Sequence, residues 1–115
     1  MPTEESRAEA GREQQKQAYG EPLSEAFSRF REAFGLNQSE LATVLGISAP
    51  MLSQLNSGQR VKIGNPAVMQ RLQRLEDLVG QIRSGTLPGE QIPAMLEEIK
   101  AATGRLTRST TAVVP

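Results

Sequence analysis

The stretch LNQSELATVLGISAPMLSQLNSGQR, residues 36–60, decides the fold, because it reads as two short helices joined by a tight turn. Leu41, Ala42 and Leu45 recur at the spacing of one helical face, which predicts a first helix from Gln38 to Leu45 with Asn37 as its N-cap. Gly46 ends it: a glycine just past the last apolar residue takes the left-handed conformation that a side chain resists. Ile47 anchors the turn. Ser48 then stands at the next N-cap, and Pro50 lies in the first turn, where a missing N–H costs little. The second helix is predicted over about residues 48–57, burying Leu52 and Leu55, leaving Pro50, Ser53, Gln54 and Ser57 outside, and closed by Gly58. Ala42 is small enough to let the two backbones approach where the helices cross.

Upstream, Leu23, Ala26, Phe27, Phe30 and Phe34 share one stripe, so a helix opened by Pro22 and ended by Gly35 should carry all three phenylalanines into the core. Downstream, Val61 and Ile63 alternate with Arg60 and Lys62, a pattern that pins a loop by its apolar members and turns its cations outward. Asn65-Pro66 starts a long fourth helix with Val68, Leu72, Leu75, Val79 and Ile82 at four-three-four-three spacing. Gly80 should weaken or bend this helix, and Ser84-Gly85 should end it. A last short helix near Pro93 gathers Ile92, Met95, Leu96 and Ile99 on one side, with Glu97, Glu98 and Lys100 outside. Such a short helix is stable only when docked. With the fourth helix it should make a hairpin whose exposed face could pair two copies.

The 115 residues make about one domain's worth of chain, with 37% apolar and 3% aromatic residues, and suit a compact helical domain with polar tails. The absence of cysteine and histidine removes thiol and imidazole chemistry, disulfides and the commonest zinc ligands. Glu97 and Glu98 are neighbours, so on a helix they point about 100° apart and share no site. No catalytic residue, metal site or cofactor is expected, and the chain does not read as an enzyme. No apolar run is long enough to span a membrane and the charged N-terminus has no signal-peptide core, so a cytoplasmic protein is expected. Residues 1–20 are charged and nearly free of large apolar groups, and are expected to form a disordered arm. Residues 104–115 are rich in Thr and Ser and are expected to be a disordered tail, in which Arg105 and Arg108 are candidate DNA contacts.

Gln38 opening the first helix, Ala42, Gly46, Leu52, Leu55 and Gly58 together resemble the helix-turn-helix of the lambdoid phage repressor and Cro group, the XRE class of regulators. The string Ser48 to Leu55 also resembles recognition helices of small actinobacterial members of that class. The likeness covers roughly residues 23–80. It implies an all-α, five-helix lambda-repressor-like fold: a helix-turn-helix DNA-binding domain over residues 21–84 with an extended fourth helix, then a C-terminal fifth helix in residues 85–103, with disordered tails.

The same resemblance implies double-stranded DNA as the partner, with the second helix in the major groove. Gln38 would then bond a phosphate or brace the recognition helix. Ala49, Pro50 and Gln54 would face bases. The first two are apolar where the class often has polar residues, leaving Gln54 to pair bidentately with adenine, worth about 1–3 kcal/mol of discrimination. Asn56, Ser57, Gln59, Arg60 and Lys62 would meet the DNA backbone, Arg60 within reach of a base, and Ser48 and Ser53 complete the set. Net charge is zero, but no acidic residue lies between Glu40 and Glu76, where Arg60, Lys62, Arg71 and Arg74 supply four positive charges. Charges more than a Debye length away, about 8 Å at physiological salt, are largely screened, so the local patch decides. A transcriptional regulator acting as a homodimer through residues 66–102 is expected. The alternatives are an antitoxin of the same class and a protein-interaction module on the same scaffold, either of which adds a protein partner.

Overall fold

The structure, a computed structural model, describes residues 3–102, so the expected tail over residues 104–115, with Arg105 and Arg108, lies outside the described residues. The described chain is all-helical, with α1 (Glu4–Tyr19), α2 (Leu23–Phe34), α3 (Gln38–Leu45), α4 (Ala49–Ser57), α5 (Pro66–Ser84) and α6 (Ile92–Ala101). A single 3₁₀ turn, Gly89–Gln91, precedes α6.

Local signals set most boundaries. The Asn37 side chain accepts from the Glu40 N–H while the Glu40 carboxylate accepts from the Asn37 N–H, a reciprocal cap that starts α3. Gly46 at φ 82° ends it, and the N–H groups of Gly46 and Ile47 both return to the Ala42 carbonyl. The Ser48 hydroxyl accepts from the Met51 N–H at 3.2 Å and starts α4. α5 begins at Asn65 and Pro66 as the sequence predicts, and runs unbroken through the exposed Gly80.

One core serves α2 to α6. Phe27 and Phe30 are buried among Leu23, Leu41, Leu45, Leu52, Leu55, Leu75 and Ile99, while Phe34 is only half-buried at the edge. α2 packs against α3, α4 and α5, and α6 packs against α3 and α5. Val68, Leu72, Leu75 and Val79 of α5, and Leu96 and Ile99 of α6, are buried within one protomer, while Ile82, Ile92 and Met95 of the same stripes are half-buried. The exposed face of α5 carries Gln73, Arg74, Asp77, Gly80 and Gln81.

The expected disordered arm is corrected outright, since residues 4–19 form helix α1, making six helices where five were expected. Its sequence buries little apolar surface, but α1 docks by other means. Ala8, Gly11 and Gln15, spaced to share one face, are buried against α2 and the end of α4. Gly11 meets Gly58 backbone to backbone; a Cβ on Gly11 would lie 1.8 Å from the Gly58 carbonyl oxygen.

Candidate nucleic-acid interface

α4 is held from its inner side by Leu52 and Leu55 and offers the opposite side to solvent. Ser48, Ala49, Pro50, Ser53 and Asn56 are exposed, and Gln54 and Ser57 are half-buried. Met51 packs against the core. In the loop after α4, Gln59, Arg60 and Lys62 are exposed while Ile63 packs inward. Gln38 is half-buried at the start of α3, and among the described residues no hydrogen bond links its side chain to α4.

An open groove of about 420 Å³ lies between the α3–α4 turn and the loop, lined by Gly46, Ile47, Ser48, Met51, Arg60, Lys62, Ile63, Gly64, Asn65 and Val68. Both Ser48 and Asn65 are helix N-caps, so the N-terminal ends of α4 and α5 converge on it. The aligned dipoles of two helix starts favour an anion, although Pro50 and Pro66 carry no N–H and the Met51 and Ala67 N–H groups are taken by the caps, so Arg60 and Lys62 supply the main attraction. No acidic residue lines this groove.

The opposite end of α4 differs. The last carbonyls of a helix lack intrahelical partners, and α1 supplies them. Arg12 Nη1 donates to the Ser57 carbonyl at 2.6 Å, placing a cation at the negative end of the α4 dipole. Gln15 Nε2 donates to the carbonyls of Leu55 and Arg60, both at 2.9 Å, while Gln15 Oε1 accepts from the Leu23 N–H at 3.0 Å. The Tyr19 hydroxyl accepts from the Ile63 N–H at 3.0 Å. α1 thus fastens the loop that carries Arg60 and Lys62.

Sequence alone places Arg12, Gln15 and Tyr19 in a disordered arm, with no role in holding α4. The available signal was the spacing of Ala8, Gly11, Gln15 and Tyr19 on one helical face, a stripe of small and amide residues rather than apolar ones.

The charge reading needs two corrections. Arg71 does not line the groove; it donates to the carbonyls of Leu45 and Ala102 and ties the end of α3 to the end of α6. Arg74 lies 3.7 Å from Glu98. Of the four cations counted along the sequence, only Arg60 and Lys62 line the groove. In addition, Glu4 enters a neighbourhood that is free of acids in sequence, its carboxylate accepting from Gln59 Nε2 at 3.2 Å. The surface is cationic at the start of α4 and acquires an anion beyond its end.

Gln54 does not stand alone either: its Oε1 accepts from Arg60 Nε at 3.3 Å. Among the described residues no group of three or more acidic, His or Cys side chains could hold a metal, and no helix is long and apolar enough to cross a membrane. Comparisons with protein-family models, with characterised proteins and with solved structures find no match.

Proposed function

We propose that this chain is a sequence-specific double-stranded DNA-binding regulator of the XRE-like helix-turn-helix type, with α4 as the recognition helix. The observation that carries the reading is the exposed flank of Ser48, Ala49, Pro50 and Ser53 beside a groove that joins two helix N-termini to Arg60 and Lys62. Phosphates would seat in the groove while the flank meets base edges, the division of labour by which such helices are positioned and made specific. Ala49 and Pro50 suit thymine methyl groups. Two protomers would read half-sites about one helical turn apart. Because most of the apolar stripes of residues 66–102 is buried within each protomer, with Ile82, Ile92 and Met95 half-buried, little apolar surface is left there and we place pairing on the duplex rather than in free solution.

The experiment is a salt titration of duplex binding with sedimentation alongside. With Lys62 at phosphate and Arg60 within reach of both phosphate and base, the log–log slope should lie between about −1 and −2 per protomer, at most half of what four phosphate contacts would give. Arg60→Glu with Lys62→Glu should abolish binding while the helical content stays unchanged, and the free protein should sediment as a monomer. A protein that retains its helices and binds no duplex at any salt would remove the regulator reading. The withdrawal of Arg71 and Arg74 from the groove favours one second reading, a protein-interaction module on the same scaffold. Unchanged duplex binding after the double charge reversal would point there.

A further inference from the structure

Arg60 is the most constrained exposed cation beside α4. Its N–H donates to the Gln54 carbonyl at 3.1 Å, its carbonyl accepts from Gln15 Nε2 at 2.9 Å, and its Nε donates to Gln54 Oε1 at 3.3 Å. Gln15 is fully buried, and its amide is committed to Leu55, Arg60 and Leu23. The Arg60 backbone is therefore anchored on both sides, and its side chain leans on Gln54. A guanidinium has donors and no acceptor, so the Gln54 atom facing it must be the oxygen. Among the described residues the Gln54 NH₂ group and the two Nη groups of Arg60 make no hydrogen bond, which leaves them to meet a partner.

Adenine in the major groove presents an acceptor and a donor, and a glutamine reads it with its oxygen and nitrogen together. Here the oxygen keeps a second lone pair, but the group bonded to the first is a cation, which would meet the adenine N6 donor with like polarity. Guanine presents N7 and O6, both acceptors. We propose that Gln54 and Arg60 act as a single reading unit that presents donors and selects guanine, in place of the adenine that Gln54 alone would select. Gln15 acts as its positioning residue. This rests on the duplex-binding reading above.

The test is selection of bound duplexes from a random pool, followed by titration of a duplex set that varies one base pair per half-site. Wild type should prefer guanine over adenine at that position by about 10- to 100-fold. Gln54→Ala and Arg60→Ala should each bring the ratio close to one. Arg60→Lys should lower the ratio only in part while preserving the salt slope, because lysine keeps the charge and a donor for guanine but loses the Nε–H that ties Arg60 to Gln54. Gln15→Met should lower the ratio and leave the salt slope unchanged, a split that simple loss of fold would not produce. Selection of adenine, lost in Gln54→Ala but kept in Arg60→Ala, would overturn the paired unit and leave the regulator reading standing. A pool in which no sequence is enriched over non-specific competitor would overturn both.

Discussion

The two outermost helices, α1 and α6, dock by opposite chemistry. α6 buries Leu96 and Ile99 and lays Ile92 and Met95 against the common core. α1 buries Ala8, Gly11 and Gln15, none of which joins that core, and only Tyr19 touches its edge. What holds α1 is a glycine-to-glycine approach and hydrogen bonds to backbone carbonyls left over at the end of α4. Apolar periodicity reports what side chains bury, so it announces α6 and is silent on α1. The energetics should differ as well. Polar groups that separate into water are rehydrated, so an interface of this kind can open alone, whereas exposing an apolar stripe disturbs the whole core.

The largest effect should come from Ile99→Ala. Ile99 is fully buried where α6 meets the core, and truncation there should cost about 2–5 kcal/mol. Denaturant unfolding should show a lower midpoint with all helices melting together. An outcome in which α6 alone frays, with the other helices at wild-type stability, would erase the contrast. Gly11→Ala should come next, at about 1–3 kcal/mol, because the added Cβ meets backbone and no side chain can move aside. The sign matters more than the size. Replacing a glycine by alanine inside an unobstructed helix is stabilising by roughly 1 kcal/mol, so destabilisation here reports the close approach itself. Amide exchange should accelerate across residues 4–19 and stay slow in α6. Retained protection in α1 would mean that the helix is held by something other than that contact.

The α3–α4 pair and its flanks were legible because their signals are local: Asn37, Gly46, Ser48 and Gly58 act on backbone groups within a few residues. The exposure of Ala49, Pro50 and Ser53 followed from the same periodicity that buries Leu52 and Leu55. What could not be read was partnership across distance in the chain. Arg71 is tied to carbonyls 26 and 31 residues away, and Glu4 reaches Gln59 across 55 residues, so counting charges along a window overstated how cationic the patch is. The bond between Gln54 and Arg60 spans only six residues, yet it depends on the turn at Gly58, whose course Gln15 and Gly11 fix from the other end of the chain.

The smallest expected effect sharpens the contrast by acidity. At the root of α1, the Glu21 carboxylate accepts both Nη groups of Arg29, and Arg29 also reaches Glu76 on α5 at 2.8 Å. The side-chain hydrogen bond from Arg29 holds the Glu21 carboxyl below its ordinary value of 4.5, with the arginine's charge assisting and burial opposing. A carboxyl depressed in the folded state contributes stability that is present above its unfolded value and lost as pH falls through the folded one. Acidification below about pH 4.5 should therefore loosen the α1–α2 junction, by less than about 1 kcal/mol for a partly exposed pair. α6 has no comparable tie, since its pairs Lys100–Glu97 and Arg74–Glu98 lie largely in solvent. Amide exchange followed across that pH range should show protection falling at the start of α2 while α6 holds, and Glu21→Gln should flatten the response. A Glu21→Gln variant that loses protection in acid as steeply as wild type would locate the sensitivity elsewhere and leave the polar character of the α1 attachment without this support.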